Sequence, residues 1–297
     1  MKHTKTILAI TTIALTAFSY YSYTLLIKAY PTKAHAHNEP KFNKVVVVEP
    51  SPLPNTIVNN SSNSIWIPTP RTSWQWQLST PVDQSVVAQM YDIDMFSNDA
   101  SVVQSLHAKG RHVVCYISAG SVEDWRPDAE QFPQVVIGND YNGWPGEKWL
   151  DIRRINVLGP IMEKRLDECK SKGFDAVEPD SINAYTQDTG FPLSGDDQLK
   201  YNIWWAEAAH KRGLSIGLKE DPDQAKELVM HFDWALDEEC FEFGGCEKML
   251  PFTNAGKAIF NTEYSLAIKQ FCPEANKLNF NSITKHKELD VYRETCR

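Results

Sequence analysis

The residues with the clearest chemical potential are two carboxylates on either side of a proline, in the stretch 173–183. The stretch begins with Gly173 after a helical pattern, continues through a short apolar run and reaches Glu178, Pro179 and Asp180. Because proline cannot donate to a sheet ladder, Pro179 marks the end of a strand. Residues two apart on a strand point to the same side, so Glu178 and Asp180 are expected to share one face. The alternative is a solvated loop that happens to carry two acids, and the rest of the chain decides between these interpretations.

Strand and helix patterns alternate from about residue 65 onward. Helical patterns end in a cation, a glycine and then a strand at Lys109-Gly110, Lys172-Gly173 and Arg212-Gly213. Apolar runs predict strands at 74–78, 90–96, 113–118, 174–178, 214–219, 232–236 and 258–264, with others near 149–152 and in the tail 272–297. Such alternation predicts an α/β fold with a parallel sheet, and about eight units in roughly 232 residues favour a closed (β/α)₈ TIM barrel over an open sheet.

The carboxyl ends of the strands form the active-site face of such a barrel. Polar side chains follow the predicted strands there, and carboxylates come from at least five of them. Besides Glu178 and Asp180, the expected site residues at these strand ends are Asp92, Asp94, Tyr116, Ser118, Asp151, Lys219, Glu238, Glu263 and Tyr264. Carboxylates that lie close together raise one another's pKa, which keeps a general acid protonated near neutral pH. Paired carboxylates around a cleft predict glycosidic bond cleavage.

The histidines of the predicted barrel do not fall at these strand ends. They lie near helix ends, before strands or in the tail: His107, His112, His210, His231 and His286. A histidine-ligated metal and a Ser-His-Asp triad are therefore disfavoured, and no close Cys or His pairs have metal-ligand spacing. We predict no metal and no cofactor.

Aromatic residues in the same strand ends and loops favour a sugar ligand, although packing explains about half of such residues. We expect Trp74 and Trp125 to bind substrate, and Trp204 and Trp205 to pack within a helix. The segment 119–148 is too long for an ordinary connection, which indicates a functional role.

Charge and the N-terminus restrict partners and location. The formal net charge is −8, and the four lysines without any acid in residues 1–36 leave 26 basic and 38 acidic residues after them. This acidity argues against nucleic acid as a partner and is compatible with a neutral or cationic ligand. Lys2 and Lys5 precede an apolar run at 7–27, and Ala34-His35-Ala36 is a small-x-small cleavage site, so residues 1–36 are predicted to be a secretory signal peptide.

An uncleaved membrane anchor is the alternative for that segment, because the run is long enough to span a bilayer. Residues 37–65, rich in Pro, Asn and Ser, are predicted to be a linker before a single domain at 66–297. The expected location is outside the cell or in the cell envelope, where disulfides persist. Of the six cysteines, Cys240 with Cys246 and Cys272 with Cys296 could form disulfides, whereas Cys115 and Cys169 are predicted to be buried free thiols.

Eight segments resemble one known family, and they stand in that family's order. They are Trp74-Gln75-Trp76-Gln77-Leu78, Tyr91-Asp92-Ile93-Asp94-Met95-Phe96, Cys115-Tyr116-Ile117-Ser118-Ala119-Gly120-Ser121, Glu123-Asp124-Trp125-Arg126-Pro127, Trp149-Leu150-Asp151-Ile152-Arg153, Phe174-Asp175-Ala176-Val177-Glu178-Pro179-Asp180, Gly217-Leu218-Lys219 and Glu238-Glu239-Cys240. Together they resemble glycoside-hydrolase family 114, the endo-α-1,4-polygalactosaminidase-like TIM barrels, over residues 66–297.

The resemblance implies a secreted hydrolase of α-1,4-linked galactosamine-containing polysaccharide, with Asp180 as nucleophile and Glu238 as acid/base. The sequence departs from the family at Ser181-Ile182-Asn183, where the family tends to have Asn followed by another acid, so substrate contacts just after Asp180 differ. A de-acetylated galactosamine polymer is cationic and suits an acidic rim. Lys219 opposite Asp180 would keep the nucleophile ionised, and the acids flanking Glu238 would raise its pKa.

Two other functions remain open on the sequence. A non-catalytic carbohydrate-binding barrel needs the aromatic and acidic groove but no paired carboxylates. A glycosidase for another α-linked polysaccharide would use the same barrel, because the fold does not fix the substrate. A retaining mechanism requires the two carboxyl groups to lie about 5–5.5 Å apart, and an inverting one about 6.5–9.5 Å apart.

Overall fold

The computed structural model describes residues 65–297. The predicted targeting segment, residues 1–36, and all but the last residue of the predicted linker lie outside the described residues. Within residues 65–297, no helix is both long and apolar enough to cross a bilayer.

The described chain alternates between strands and helices. Its strands are β1 (Trp74–Gln77), β2 (Met90–Asp94), β3 (His112–Ser118), β4 (Ser121–Glu123), β5 (Ile137–Asp140), β6 (Glu147–Leu150), β7 (Ala176–Asp180), β8 (Ser215–Lys219), β9 (Trp234–Glu238), β10 (Ile259–Glu263), β11 (Asn281–Thr284) and β12 (Glu294–Thr295). Its α-helices are α1 (Ala100–Ala108), α2 (Ile155–Lys172), α3 (Gly195–Lys211), α4 (Ala225–Leu228), α5 (Cys240–Phe243), α6 (Leu250–Asn254) and α7 (Ile268–Lys277).

Eight parallel strands form the main sheet in the order β1, β2, β3, β7, β8, β9, β10 and β11, and the short β12 adds an antiparallel edge. The sheet curls until its first and eighth strands meet. There the indole N–H of Trp74 donates to the carbonyl of Asn281 at 2.8 Å, and the Arg293 guanidinium donates to the Trp74 carbonyl. The predicted (β/α)₈ architecture is confirmed, with side chains rather than a regular ladder joining the two ends of the sheet.

Large side chains fill the space that the curled sheet encloses. Because strand residues alternate between the two faces, every second residue points inward. The buried inward cluster includes Trp74, Trp76, Met90, Val114, Ala176, Trp234, Leu236, Phe260 and Ile283. Gly217 makes room for this packing, since a Cβ there would lie 2.4 Å from the Trp234 ring. The interior is a packed core, so a ligand can approach only at an end of the barrel.

The helix boundaries follow from capping chemistry. Helix α1 begins after Asp99, whose carboxylate accepts from the backbone N–H of Ser101 at 2.9 Å. Helix α2 ends at Gly173, which has a φ of 94° that only glycine adopts without strain. Gly110 and Gly213 also have positive φ, at 71° and 67°. The sequence pattern of a cation, a glycine and then a strand therefore predicted the helix ends correctly.

The strand predicted near 149–152 does not belong to the barrel. Strand β6 pairs antiparallel with β4 and β5 in a separate three-stranded sheet, which the long segment between β3 and α2 builds. We call this the insertion sheet. The eighth barrel strand is instead β11, in the C-terminal tail. A short apolar run looks the same in both kinds of sheet, so its periodicity could not distinguish them.

All six cysteines form disulfides. The predicted pairs Cys240–Cys246 and Cys272–Cys296 are confirmed. The prediction that Cys115 and Cys169 are free thiols is wrong, because they bond to each other and connect β3 to α2. Both side chains are fully buried, as a free thiol would be, and 54 residues separate them in sequence, so burial and spacing gave no sign of the pairing.

The long loop closed by Cys115–Cys169 predicts a large effect on stability. In the chain-entropy account, a cross-link over 54 residues contributes about 4 kcal/mol, and one over 6 residues contributes about 2 kcal/mol. The double variant Cys115→Ala/Cys169→Ala should therefore lose more free energy of unfolding in urea than Cys240→Ala/Cys246→Ala. Thiol titration of the denatured, unreduced protein should find no free thiol, and two free thiols would contradict the structure.

Candidate active site

A cavity of about 490 Å³ opens at the carboxyl ends of the barrel strands. Side chains of the barrel and of the insertion sheet contribute to it. Its charged lining consists of Asp94, Glu123, Glu147, Asp180, Glu220, Glu238 and Glu288 with Arg126, Lys219 and Lys287, and its aromatic lining of Trp76, Tyr116, Trp125, Tyr141, Trp144 and Tyr264. The predicted convergence of carboxylates at one end of the barrel is therefore present in the structure.

Asp180 ends β7, and its backbone is held by the segment that follows β3. The carbonyl of Asp180 accepts from the N–H groups of Ala119 at 2.9 Å and Gly120 at 3.1 Å. Gly120 is required at this contact, because a Cβ there would lie 1.8 Å from the carbonyl oxygen of Ser181. The Asp180 carboxylate accepts from the hydroxyl of Tyr116 at 2.7 Å and from the backbone N–H of Ser181 at 2.8 Å. Asp180 is thereby fixed at both backbone and side chain.

The balance of charge around Asp180 keeps its carboxyl ionised. Burial by itself would raise the pKa of Asp180, but the ammonium of Lys219, 3.0 Å from its Oδ1, opposes burial most strongly. The hydrogen bonds from Tyr116 and Ser181 act in the same direction, so the pKa of Asp180 falls below its usual value. An ionised carboxylate on the cavity wall can act as a nucleophile.

Lys219 connects the two carboxylates that the sequence singles out. It ends β8, its side chain is only 2% exposed, and its Nζ lies 2.6 Å from Oε1 of Glu238, on the neighbouring strand β9. The second carboxylate oxygen of Glu238 accepts from the hydroxyl of Tyr264. Asp180 and Glu238 thus lie on either side of one ammonium group, with a tyrosine donating to each.

A third carboxylate contacts the same ammonium. Oε2 of Glu220 lies 3.2 Å from Nζ of Lys219, and the residue has a φ of 50°, a left-handed conformation that is uncommon for glutamate. Burial, opposed by Lys219, raises the pKa of Glu220 well above its usual value, and the neighbouring carboxylate of Glu238 adds to the rise. The sequence places Glu220 at a strand end directly after Lys219, but it was not among the residues assigned to the site.

Residues between β3 and β6 contribute the other side of the cavity. Arg126 forms ion pairs with Asp94 and Glu123, at 2.6 Å to each. Trp125 and Trp144 stand at the rim, 51% and 54% exposed. Exposed aromatic faces beside an acidic cavity are suited to stacking on sugar rings. The expected contribution of the segment 119–148 to the site is present.

The structure places the remaining predicted site residues outside the cavity lining. They are Trp74, Asp92, Ser118, Asp151, Glu178 and Glu263. Trp74 lies at the start of β1, within the packed interior. Asp151 is not at a barrel strand end and forms an ion pair with Arg153. Glu263 follows an inward residue of β10, so it points to the helix layer, where it accepts from the N–H of Phe241 at 3.0 Å.

Asp92 and Glu178 lie beneath the cavity floor, whereas Ser118 is in register with Asp180 on the neighbouring strand. Asp92 and Glu178 face inward like Asp180, but one layer deeper, and both are completely buried. Burial raises the pKa of Asp92 to about 7. Burial and the nearby carboxylate of Asp92 raise the pKa of Glu178 well above its usual value. The Ser118 hydroxyl bonds to that of Ser121.

Among residues 65–297, no group of three or more His, Cys, Asp or Glu side chains is arranged to hold a metal ion. Three of the described histidines pair with aspartates: His107 with Asp175, His210 with Asp233 and His286 with Asp290. The prediction that no histidine falls at the strand ends is wrong for His286, which follows β11 and precedes the lining residue Lys287.

A parallel barrel with carboxylates converging on a cavity at its strand ends is an arrangement found in glycoside hydrolases. The model of glycoside-hydrolase family GH114 matches residues 55–297. The chain belongs to this family, and it is a glycoside hydrolase.

Solved structures agree with this assignment. The crystal structure of Aspergillus fumigatus Ega3 in complex with galactosamine is similar, with 37% sequence identity, coverage of 80% of this chain and 100% of that chain, and a TM-score of 0.75. The glycoside hydrolase domain of PelA from Pseudomonas aeruginosa shares the fold, with 11% identity, coverage of 75% and 97%, and a TM-score of 0.59. A search of curated proteins found no match.

The contact between Lys219 and Asp180 predicts a shift in the pH profile. Replacing Lys219 with Met removes the cation that most strongly lowers the pKa of Asp180, so that pKa should rise. The acid limb of kcat/KM should therefore move to higher pH if protonation of Asp180 sets that limb. The control is Lys287→Met, which removes an exposed lysine of the same cavity that forms its ion pair with Glu239. An unmoved acid limb in Lys219→Met would contradict the role assigned to this ammonium.

Proposed function

We propose that the chain is an endo-acting hydrolase of α-1,4-linked galactosamine-containing polysaccharide. In this proposal Asp180 is the nucleophile, Glu238 is the acid/base, and the configuration at the anomeric carbon is retained. No metal or cofactor takes part in these steps.

The observation that carries this proposal is the shared ammonium of Lys219. Its Nζ lies 3.0 Å from Oδ1 of Asp180 and 2.6 Å from Oε1 of Glu238. The distance between these two oxygens therefore cannot exceed the sum of those two distances. This upper limit on the distance between the two oxygens is below the about 6.5–9.5 Å that an inverting enzyme needs for a water molecule, so it supports a retaining mechanism.

The reaction follows from these positions. Asp180 attacks the anomeric carbon while Glu238 gives a proton to the departing glycosidic oxygen, which leaves a glycosyl–Asp180 ester. Glu238 then takes a proton from water, the water oxygen bonds to the anomeric carbon, and Asp180 leaves as a carboxylate. Tyr116 and Ser181 donate hydrogen bonds to that carboxylate, so they stabilise it as a leaving group.

Charge and similarity support an amino sugar as the substrate. Seven acidic and three basic side chains line the cavity, an excess that attracts a cationic polymer. The most similar structure described above, Ega3, was solved with galactosamine. The exposed Trp125 and Trp144 supply stacking surfaces beyond the catalytic pair, as cleavage within a polymer requires.

Neutralising either catalytic carboxyl tests the assignment. Asp180→Asn and Glu238→Gln should each lower kcat on de-acetylated α-1,4-galactosamine oligomers by about 10²–10⁴-fold or more, because each removes a group that acts in the transition state. Asp151→Asn is the matched control, since sequence reasoning selected Asp151 as well but the structure pairs it with Arg153 outside the cavity. Thermal unfolding would check that all three variants fold. Near-normal turnover by Asp180→Asn would refute the assignment.

The stereochemistry of the first product separates the two mechanisms. Proton NMR during the first minutes of hydrolysis should detect the α-anomer at the new reducing end, because two displacements restore the original configuration. Initial release of the β-anomer would indicate inversion and would remove Asp180 as the nucleophile.

The same incubations address the two other functions. Oligomers recovered at full length with the wild-type protein would favour a carbohydrate-binding barrel. Faster cleavage of a neutral α-glycan than of the galactosamine polymer would favour another linkage or sugar.

We also propose that the protein acts outside the cell or in its envelope. Three disulfides in residues 65–297 suit an oxidising compartment, and the sequence 1–36 has the features of a signal peptide. Fractionation of producing cells and N-terminal sequencing of the mature protein test this, and an intact N-terminus on a cytosolic protein would contradict it.

A further inference from the structure

The acidic side chains of the cavity differ in whether a cation compensates them. Arg126 pairs with Asp94 and Glu123, and Lys219 contacts Asp180, Glu220 and Glu238. Glu288 lies in the exposed segment before Leu289 and remains in contact with water. Glu147 differs from all of these, because it is buried and forms no ion pair with any residue of the described chain.

Glu147 begins β6 of the insertion sheet and is only 7% exposed, yet it lines the cavity. Its Oε1 accepts from the hydroxyl of Ser121. Its Oε2 has no hydrogen-bond partner in residues 65–297 and is not among the fully buried unpaired atoms, so it faces the cavity. A carboxylate held out of bulk water without a cation is costly, and the cost falls when a positively charged group binds to it.

The position of Glu147 identifies which part of a ligand it would meet. Its partner Ser121 directly follows Gly120, whose N–H holds the backbone of Asp180 at 3.1 Å. The hydroxyl of Ser121 also lies 3.5 Å from that of Ser181, the residue after Asp180. Glu147 is therefore beside the nucleophile. In a 2-amino sugar, the carbon that bears the nitrogen is bonded to the anomeric carbon that the nucleophile attacks.

We propose that Glu147 binds the 2-ammonium group of the sugar whose anomeric carbon reacts with Asp180, and so selects de-acetylated galactosamine units. This inference rests on the proposed function and adds the residue that distinguishes a free amine from an acetylated one. The cation needed to compensate Glu147 is then supplied by the substrate. An N-acetyl group carries no charge and cannot supply it.

The protonation behaviour of Glu147 agrees with this role. Burial raises its pKa to about 7, the hydroxyl of Ser121 opposes the rise, and the carboxylates of Asp180 and Glu123 add to it. A carboxyl that is only partly ionised near neutral pH becomes fully ionised when an ammonium group binds beside it.

The variant Glu147→Gln removes the charge and keeps an oxygen that can accept from Ser121. On de-acetylated oligomers its KM should rise by about 10- to 100-fold, the loss expected for a hydrogen bond to a charged group, while kcat at saturation changes much less. Calorimetric titration with galactosamine should show a similar loss of affinity, and this measurement requires no cleavage. Asp151→Asn, which removes an acid that pairs with Arg153 outside the cavity lining, should change neither value by more than about twofold.

The possible results decide between the roles of Glu147. An unchanged KM and unchanged galactosamine affinity in Glu147→Gln would overturn the proposal. So would a fall in kcat with KM preserved, which identifies a catalytic group, or a loss of thermal stability large enough to account for the change. If the wild-type enzyme binds galactosamine but does not cleave its polymers, the proposed function fails. A Glu147-dependent affinity would still support the amine site in that case, and absent binding would overturn it.

Discussion

One buried ammonium group determines the chemistry of this cavity. Lys219 contacts three carboxylates that come from three neighbouring strands, and burying those charges without it would be costly. The same contacts lower the pKa of Asp180 and hold Glu238 at a short separation from it. The low pKa of Asp180 and its short distance from Glu238 therefore have one structural cause. The barrel supplies that cause by ending β8 with a lysine between two strands that end in acids.

Much of the fold could be predicted because the barrel is built from local units. Helices α1, α2 and α3 each end in a cation followed by a glycine of positive φ, and this pattern is visible within a short window of sequence. Helix α2 (Ile155–Lys172), for example, ends at the Lys172-Gly173 boundary that the sequence predicts. Features that join distant parts of the chain were not visible in this way. The bond between Cys115 and Cys169 depends on the packing of α2 against β3, and the pairing of β6 depends on which strand is beside it in space.

The candidate site could be predicted at the level of strand ends but not of individual side chains. Tyr264 and Glu263 are adjacent in sequence, yet alternation sends Tyr264 into the cavity and Glu263 to the helix layer. Asp180 and Glu178 share a face, but they differ by one layer in depth, and only Asp180 reaches the cavity. Selecting site residues therefore requires both the face of the strand and the depth in the barrel. Depth depends on how the strands are staggered, which the sequence does not state.

The barrel sheet and the insertion sheet carry different residues of the candidate site. Asp180, Lys219 and Glu238 belong to the barrel sheet, whereas Glu147 and the hairpin with Trp144 belong to a second sheet with its own ladder. Under the proposed role of Glu147, bond cleavage and recognition of the amine then reside on two different sheets of the same domain. Sequence changes in the insertion can alter which polymer is accepted while the barrel strands, and the reaction they perform, stay the same. In evolution, substrate preference can therefore change while the catalytic mechanism is kept.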